Sequence, residues 1–302
     1  MSENAVPSQT LTEYCNSLDY YNVNFDVYNR VSQRINRFSD WIDKSLPKLA
    51  DSMEISLPAT GTLNVLSVGA GNGTIDSRIL PHLRDKVHPN VRAIFLEPDL
   101  HTFQQCQDLV GKESPRLQGI EFDWRQQTFQ EYRSTAKEED KFHFICCFNS
   151  IYYTGDMGSS LRYLYDKLHS GGILLITLVD GKSGGGQFWQ FLNTSLGQEK
   201  DFFTSFDLEE ACRKQNIMIS EVQPIGIYVN VSCCFDPPQE LTEDGRYLLD
   251  TITRSVNFAQ TAAAELRKDV LRFLRSDTCS SITADGQVIL DGSNSAYIIR
   301  RP

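Results

Sequence analysis

An apolar run that ends in three glycines is the feature that most constrains the fold. Residues 63–68 (Leu-Asn-Val-Leu-Ser-Val) are nearly continuous in apolar side chains, as in a strand that is buried on both faces of a sheet. Gly69, Gly71 and Gly73 follow, and glycines let the backbone turn sharply and come close to a ligand. A helix-compatible stretch, 76–83, comes next. The sequence therefore predicts a strand, a glycine turn and a helix, the start of a nucleotide-binding α/β unit.

A second apolar run ends in an acid about two dozen residues past Gly73. Residues 93–96 predict a second strand, and Glu97 follows directly, where an acid in this type of fold binds the hydroxyl groups of a ribose. The glycine spacing is G-x-G-x-G, whereas a dinucleotide pyrophosphate is bound by G-x-G-x-x-G. The looser loop favours a nucleoside without phosphate, of which S-adenosylmethionine is the leading candidate. A tight strand-to-helix turn is the alternative for the glycines alone.

Composition and charge narrow the class of protein. The chain has 302 residues and a net charge of −10 with no basic stripe, so we expect no nucleic-acid partner. No apolar run approaches the roughly 20 residues of a membrane span, and residues 1–12 lack the apolar core of a signal peptide. The eight cysteines include the adjacent pairs Cys146-Cys147 and Cys233-Cys234 but no C-x-x-C. We expect free thiols in a reducing compartment, the cytoplasm.

Strands and helices alternate through the middle of the chain, which predicts an α/β fold with a doubly wound, mostly parallel, seven-stranded sheet. The predicted strands are 63–68, 93–96, 119–124, 142–148, 173–179 and 217–224, with an edge segment at 225–235 and a final pair at 288–290 and 296–300. The glycine-rich stretch 181–186 follows the fifth strand. It is interpreted as part of the pocket rim, because open α/β sheets bind ligands at that edge, or else as a flexible connector.

The same pattern predicts the domain boundaries. We expect residues 1–14 to be disordered, 15–235 and 283–302 to form the cofactor-binding domain, and 236–282 to form a helical insertion on the substrate side. Within the first of these, residues 15–47 would form a helical lid, because aromatic and apolar residues recur there at threes and fours. Pro47 is expected to end this helix. A stripe of this kind is also typical of a helix that simply packs against a core.

Polar and aromatic residues follow the predicted fourth strand. The amide of Asn149 can hydrogen-bond to a nitrogen, and the rings of Tyr152 and Tyr153 can hold a flat ring or a cation. The alternative is that the two tyrosines cover the edge of the core. Methyl transfer mainly requires alignment and exclusion of water, so we predict no catalytic acid or base and no metal. We identify no proton-relay residue of the kind that hydride transfer needs, which favours a transferase over an oxidoreductase.

At these residues the sequence resembles the histamine N-methyltransferase family, across nearly its whole length. The stretches that carry the resemblance are 65–76, Glu97-Pro98, Phe144-Ile145, Tyr152-Tyr153, Trp189, 43–47 and Asn257-Phe258. The glycine stretch is generic to class I methyltransferases, whereas the tyrosine pair, the lid and the insertion indicate this family. The resemblance implies a class I methyltransferase fold, S-adenosylmethionine as cofactor, an imidazole or amine nitrogen as methyl acceptor, and a cytoplasmic monomer.

The resemblance also implies which residues bind the two small molecules. The cofactor would be bound by Gly69, Gly71, Gly73, Glu97, Thr102, Thr128, Phe129 and Phe148. The acceptor pocket would be lined by Tyr21, Phe25, Asn149, Tyr152, Tyr153 and Trp189.

Four positions depart from the acceptor pocket of that family. Where the family has an acid, this chain has Arg34, and where the family has a glutamine, it has Asn149. A tryptophan of the family corresponds to Gly185 and an asparagine to Gly292, with Asp291 and Asn294 nearby. Arg34 inverts the charge at its position, which would cost affinity for the histamine cation unless this side chain points to solvent. Histamine is the family default, and an imidazole that carries a carboxylate, such as carnosine, is the alternative. An NAD-dependent oxidoreductase and a catalytically silent relative that binds the cofactor are more distant alternatives.

Overall fold

The computed structural model describes residues 18–196 and 202–302, so the predicted disordered segment 1–14 lies outside the described residues. The helices are α1 (Leu18–Ser32), α2 (Arg34–Asp51), α3 (Asp76–Lys86), α4 (Leu100–Lys112), α5 (Phe129–Thr135), α6 (Met157–Asp166), α7 (Gly184–Leu196), α8 (Ser205–Lys214), α9 (Glu243–Thr253), α10 (Phe258–Thr261) and α11 (Ala264–Leu274). The strands are β1 (Leu63–Val68), β2 (Val91–Leu96), β3 (Ile120–Arg125), β4 (Phe142–Phe148), β5 (Leu168–Val179), β6 (Glu221–Ile225), β7 (Tyr228–Asn230), β8 (Ser280–Ile282), β9 (Val288–Asp291) and β10 (Asn294–Arg300).

The chain folds into two compact units, each made of separate stretches of sequence. The large unit comprises residues 35–178, 205–225 and 295–302. The small unit comprises the described parts of 1–34, 179–204 and 226–294, and it includes the predicted helical insertion. α1 therefore belongs to the small unit, and α2, apart from its first residue, belongs to the large one.

The large unit is built on a seven-stranded sheet with the order β3-β2-β1-β4-β5-β10-β6. β1 pairs in parallel with β2 and β4, and β2–β3 and β4–β5 are also parallel. This confirms the predicted α/β fold with a doubly wound, mostly parallel sheet. The strand order changes direction between β1 and β4, and ligands of such sheets bind beside the carboxyl ends of the strands at that point.

The predicted lid helix is interrupted at a different residue from the one expected. Gln33 has φ 50°, in the left-handed region, and it separates α1 from α2. The prediction that Pro47 ends the helix is wrong, because α2 continues through Pro47 to Asp51. A proline inside a helix costs about 3 kcal/mol because one backbone hydrogen bond is lost. The buried side chains of Leu46 and Leu49, on either side of Pro47, offset that cost by packing in the core.

The small unit contains α1, α7, α9, α10, α11 and a three-stranded antiparallel sheet of order β7-β9-β8. The prediction that 288–290 and 296–300 form a final pair is wrong. β9 pairs with β7 and β8, whereas β10 lies between β5 and β6 in the large sheet. The predicted edge segment 225–235 contributes β7 to the small sheet. Hydrophobic periodicity predicts that a segment is a strand but not which strand it pairs with. This explains why the partners of β7, β9 and β10 were not predicted.

The glycine cluster 181–186 is closely packed. A Cβ atom at Gly184 would lie 1.9 Å from the carbonyl oxygen of Cys279, and one at Gly186 would lie 2.1 Å from that of Asp180. Both glycines are therefore required by the approach of backbone atoms, and α7 begins at Gly184. The interpretation of this stretch as a flexible connector does not hold for its second half.

Candidate functional site

The loops predicted to bind a cofactor meet at one edge of the large sheet. In the parallel register Val68 is opposite Leu96, and Leu96 is opposite Arg125. β4 pairs with the other side of β1, with Cys146 opposite Ser67. The glycine loop, Glu97, the segment before α5 and the end of β4 consequently follow four neighbouring strand ends.

The three glycines of the loop have left-handed backbone angles, with φ of 69°, 57° and 77° for Gly69, Gly71 and Gly73. A Cβ at Gly69 would lie 2.7 Å from the Cβ of Ser150, and one at Gly73 would lie 2.4 Å from the Sγ of Cys106. At Gly71 no atom lies within 4 Å of that position. Gly69 and Gly73 are thus needed for packing below the loop, whereas Gly71 presents bare backbone to open space.

Glu97 is held against this loop. Its Oε2 accepts a hydrogen bond from the N–H of Gly71 at 2.9 Å, and its Oε1 accepts one from the N–H of Asp99 at 3.1 Å. Burial raises the pKa of Glu97, and these two hydrogen bonds act in the opposite direction. The carboxylate therefore joins the end of β2 to the middle of the glycine loop.

Thr102 lies in the first turn of α4, which Asp99 caps. The Oδ1 of Asp99 accepts a hydrogen bond from the N–H of Thr102 at 2.7 Å. Leu100, between them in the sequence and three residues after Glu97, is an apolar side chain with 52% of its surface exposed. The sequence analysis did not identify Asp99 or Leu100. An apolar residue three positions after the acid of β2 could have indicated a surface for a ligand.

Thr128 and Phe129 begin α5. The hydroxyl of Thr128 accepts from the N–H of Glu131 at 3.2 Å, and Glu131 Oε2 accepts from the N–H of Thr128 at 2.7 Å, a reciprocal capping box. Phe129 is buried and its ring packs edge-on against Tyr163. Just before them, the side-chain nitrogen of Gln127 is buried without a hydrogen-bond partner. A buried amide donor of this kind needs an acceptor, and sequence reasoning did not identify it.

Phe148 ends β4 and contacts α2. Its ring centroid lies 5.5 Å from that of Phe38 and 6.3 Å from that of Trp41. The next residue, Asn149, has φ 51°, and both its backbone N–H and its side-chain amide donate to the hydroxyl of Thr177 at 3.1 Å. This turn is thereby fixed by β5, and it fixes where the residues after β4 lie.

Tyr152 and Tyr153 lie on a short 3-10 helix, Ile151–Tyr153. Their ring centroids are 4.6 Å apart with an interplanar angle of 62°. Ile151 is fully buried, whereas Tyr153 is 51% exposed. The core is therefore covered by the isoleucine, which argues against the interpretation that both tyrosines serve only to cover the core edge.

In the small unit, Arg34 faces an aromatic surface of α1. Its guanidinium carbon lies 5.2 Å from the ring centroid of Phe25, and Nη1 is 3.5 Å from the Oδ1 of Asn29. Phe25 also stacks on Tyr28, with centroids 6.2 Å apart. Burial raises the pKa of Tyr28, and the charge of Arg34 acts to lower it. The side chain of Arg34 is half-buried and does not simply extend into solvent. The side chain of Tyr21 lies outside the described part of the chain.

The predicted positions Gly185, Gly292 and Asn294 lie close to these residues. A Cβ at Gly292 would be 3.3 Å from the hydroxyl of Tyr28, and one at Gly185 would be 3.5 Å from the Cα of Gly292. The Nδ2 of Asn294 donates to the carbonyl of Gly292 at 3.1 Å, while its buried Oδ1 has no hydrogen-bond partner. Glycine at 292 thus lets the hydroxyl of Tyr28 pack closely against the backbone there.

Trp189 is held by two neighbours in the small unit. Its indole N–H donates to the carbonyl oxygen of Ile252 at 3.2 Å. Its ring centroid lies 5.6 Å from that of Phe202. The polar atom of this side chain is therefore engaged by α9, so any contact of Trp189 with a ligand would be made by the carbon atoms of its ring.

Beneath the glycine loop lies a buried carboxyl group that sequence reasoning missed. The Oδ1 of Asp76 accepts a hydrogen bond from the thiol of Cys146 at 3.3 Å. The side-chain hydroxyl of Ser67 also forms a hydrogen bond with Asp76. Burial raises the pKa of Asp76 to about 6, against the effect of those two hydrogen bonds. Only the fold brings these residues of α3, β4 and β1 together.

Within 18–196 and 202–302, no group of three or more histidine, cysteine or carboxylate residues could hold a metal ion. No helix in the same ranges is both long and apolar enough to cross a membrane.

The fold and the edge of the sheet around Glu97 define a class I S-adenosylmethionine-dependent methyltransferase. Residues 26–221 match the family of methyltransferase domains, and the chain belongs to this family. The histamine N-methyltransferase of Cavia porcellus is 28% identical over 86% of this chain and 88% of the relative. The histamine N-methyltransferase of Danio rerio is 28% identical over 98% of this chain and 99% of the relative. The protein is an S-adenosylmethionine-dependent methyltransferase that resembles histamine N-methyltransferase.

A solved structure has the same fold at low sequence identity. The YcgJ protein of Bacillus subtilis superimposes with a TM-score of 0.52 at 13% identity, over 86% of this chain and 99% of that one.

Proposed function

We propose that the protein methylates an imidazole or amine nitrogen of a small molecule, as a monomer in the cytoplasm. The observation that carries this proposal is the placement of Asn149, Tyr152 and Tyr153 directly after β4, next to the strand whose glycine loop is bound by Glu97. An amide and two aromatic rings at that position suit a flat nitrogen heterocycle or an amine. The similarity to histamine N-methyltransferases over most of the chain supports the same acceptor class.

For the methyl donor, we propose that Glu97 accepts hydrogen bonds from the ribose hydroxyls of S-adenosylmethionine and that the bare backbone of Gly71 lies against the nucleoside. Gln127 offers the buried, unpartnered amide donor that an adenine ring nitrogen can accept from. Leu100 offers an exposed apolar surface for the face of that ring. The remaining residues proposed to bind the cofactor lie at the same edge of the sheet: Gly69, Gly73, Thr102, Thr128, Phe129 and Phe148.

For the transfer itself, the residues act by position. The sulfonium of the donor supplies an electrophilic carbon, so the protein has to align the acceptor lone pair with it and exclude water. Asn149 would orient the acceptor nitrogen, because its backbone and amide are fixed by Thr177. Tyr152 and Tyr153 would pack on the acceptor ring. Phe25, Tyr21 and Trp189 of the small unit are proposed as further acceptor-binding residues, and no side chain is required to take a proton in the methyl-transfer step.

A second acceptor class is favoured by one observation, the position of Arg34 over the ring of Phe25. A guanidinium there binds a carboxylate and repels an ammonium group. Glycine in place of tryptophan at 185 would make room for the extra bulk of such an acceptor, and the unpartnered Oδ1 of Asn294 offers an acceptor for an N–H group. An imidazole that bears a carboxylate, as in carnosine, would satisfy this set better than histamine.

A methyl-release assay with labelled S-adenosylmethionine tests the proposal against histamine, carnosine and simple amines. We expect turnover on imidazoles and none on alcohols or thiols. A higher kcat/KM for carnosine than for histamine would identify the acceptor as an imidazole that bears a carboxylate. Calorimetric binding of S-adenosylmethionine without turnover on any nitrogen acceptor would instead identify a silent relative and overturn the proposal. Binding of NAD in place of S-adenosylmethionine would support the oxidoreductase alternative, against which membership of the methyltransferase family already argues.

A further inference from the structure

The dipeptide Asn257-Phe258 carries part of the family resemblance but is not among the residues proposed to bind the cofactor or the acceptor. Both of its backbone N–H groups donate to one carboxylate of the small unit. The N–H of Asn257 donates to the Oδ2 of Asp250 and that of Phe258 to the Oδ1, each at 2.8 Å. Asn257 has φ 51°, in the left-handed region that asparagine tolerates better than most residues, and α10 begins at Phe258. The turn between α9 and α10 is therefore built around Asp250.

Asp250 also binds α1. The hydroxyl of Tyr20 donates to its Oδ2 at 2.5 Å, and the neighbouring hydroxyl of Thr251 donates to the carbonyl oxygen of Asn24 at 3.3 Å. Burial and the hydrogen bond to Asp250 raise the pKa of Tyr20 to about 12, so this hydroxyl keeps its proton and is the donor. Asp250 itself is fully buried. One buried carboxyl group thus joins the first turn of α1 to the turn that follows α9.

Two faces of α1 have different neighbours. Tyr20 and Asn24 are four residues apart, so they lie on one face, and this face contacts α9. Phe25 and Tyr28 are three residues apart and lie on another face, where their rings stack with centroids 6.2 Å apart. The guanidinium carbon of Arg34 lies 5.2 Å from the ring centroid of Phe25 on this second face. Because each residue of a helix turns by a fixed angle, a bond on the first face sets the direction of the second.

The packing of α1 on α9 is otherwise incomplete in hydrogen bonds. In the described part of the chain, two buried polar atoms on these helices have no hydrogen-bond partner, the Oδ1 of Asn24 on α1 and the Nε of Arg246 on α9. Buried polar atoms without partners destabilise the packing in which they occur. The position of α1 consequently depends more strongly on the hydrogen bond from Tyr20 to Asp250.

We propose that Asp250 and Tyr20 are positioning residues for the methyl acceptor. The backbone of Asn257 and Phe258 orients the carboxylate of Asp250. That carboxylate holds the hydroxyl of Tyr20, and this bond sets the rotation of α1 that presents Phe25 to the acceptor. Both residues act through α1 and not by touching the acceptor. This inference rests on the proposed function, because it takes Phe25 as an acceptor-binding residue.

The variant Tyr20→Phe removes the hydroxyl and keeps the ring. With histamine or carnosine, whichever has the higher kcat/KM, the KM for the acceptor should rise about fivefold, because a hydrogen bond to a charged group is lost. The kcat and the Kd for S-adenosylmethionine should not change. The matched control is Tyr247→Phe, since the hydroxyl of Tyr247 donates to the exposed Glu243 on the same helix at 3.1 Å. This control should leave all three quantities unchanged.

Hydrogen exchange measured by mass spectrometry follows α1 in the absence of any acceptor. In Tyr20→Phe the backbone amides of residues 18–32 should exchange about fivefold faster than in the wild type, because α1 is held less tightly. Peptides that cover β4 should exchange at the wild-type rate. In Tyr247→Phe both regions should behave as in the wild type.

A double variant tests whether Tyr20 acts through Asp250. In an Asp250→Asn background, the loss of the Tyr20 hydroxyl should raise the KM for the acceptor by less than it does alone, because the two residues form one interaction. Equal effects in both backgrounds would show that Tyr20 acts through another group and would overturn the proposal. Thermal unfolding checks that each variant is folded.

The remaining outcomes separate this proposal from the proposed function. Unchanged exchange of α1 in Tyr20→Phe, or faster exchange with an unchanged KM for the acceptor, overturns the positioning role and leaves the acceptor chemistry intact. A fall in kcat and a weaker Kd for S-adenosylmethionine would indicate general damage and also overturn it. A wild-type protein that neither binds nor methylates any imidazole or amine would instead reject the proposed function, and the positioning role with it.

Discussion

The carboxylate of Glu97 accepts a hydrogen bond at 2.9 Å from the backbone N–H of Gly71. An acid at the end of β2 is thereby joined to Gly71, the glycine of the loop at which an added Cβ would meet no other atom within 4 Å. The other carboxylate oxygen is held by the N–H of Asp99. The acid is thus oriented before a nucleoside binds, so less conformational entropy is lost when it does.

Replacing Glu97 by alanine should weaken S-adenosylmethionine binding by about 10- to 100-fold, because hydrogen bonds to a charged group contribute about 1.5–3 kcal/mol. Isothermal titration calorimetry measures the Kd. Glu121→Ala is the matched control, since Glu121 is an exposed acid on β3 and its loss should not change the Kd. Equal affinities for the wild type and Glu97→Ala would reject the assignment of Glu97 to the ribose.

Alanine at two loop glycines should separate stability from binding. Gly73→Ala combines a left-handed φ of 77° with a clash at Cys106, and should lower the free energy of unfolding by about 3 kcal/mol. Gly71→Ala has no clash and should cost about 1 kcal/mol in stability while weakening cofactor binding. Urea unfolding measures the first quantity and calorimetry the second.

A double variant provides the control for this pair. Cys106→Ala removes the sulfur that the new Cβ meets, so Gly73→Ala should be less damaging in that background than alone. Strictly additive losses in stability would show that the backbone angle, and not the contact with Cys106, determines the cost at Gly73.

Changing Arg34 to glutamate should reverse the preference between acceptors. The ratio of kcat/KM for a carboxylate-bearing imidazole to that for histamine should fall by about tenfold or more, because an ion pair becomes a repulsion. Arg37→Glu is the control, since Arg37 is exposed on α2. The Kd for S-adenosylmethionine should not change in either variant. An unaltered ratio in Arg34→Glu would show that Arg34 does not contact the acceptor.

Asp76 should make stability depend on pH. Its pKa in the folded protein is about 6, above the ordinary value of 3.8, so the folded state binds its proton more tightly than the unfolded chain does. The stabilisation from this group is therefore fully present below about pH 4 and is lost as the pH rises through 6, a change on the order of 3 kcal/mol. The variant Asp76→Asn should lack this pH-dependent stabilisation.

Urea unfolding of the wild type and Asp76→Asn between pH 4.5 and about 7.5 checks this, because the difference between the two curves isolates the one carboxyl group. The wild type should lose stability relative to the variant as the pH rises. Parallel curves would mean that Asp76 has the same pKa in the folded and unfolded chains.

The parts of the fold that the sequence predicted well are those with strong local patterns. The predicted strand 142–148 has the same bounds as β4, because an uninterrupted apolar run marks a central parallel strand. The glycine turn after β1 and the acid after β2 were found because their spacing along the chain reflects their geometry directly. The general class of sheet followed from the alternation of elements.

The errors concern interactions between distant parts of the chain. The apolar periodicity is the same before and after Gln33, so it could not show the left-handed residue that separates α1 from α2. The partners of β9 and β10 depend on contacts that no local pattern encodes. In the candidate site, Asp76 and Gln127 stand out only through what surrounds them, a buried thiol in one case and a missing hydrogen-bond partner in the other.

The break at Gln33 has a consequence for how proteins of this kind diverge. On one side of it, α1 packs on α9 and β7 of the small unit. On the other side, α2 places Phe38 and Trp41 against Phe148 at the end of β4. Mutations along α1 can therefore accumulate without disturbing the neighbours of Phe148. A lineage that keeps its methyl donor while exploring new acceptors would tolerate change up to this break and conserve the sequence that follows it.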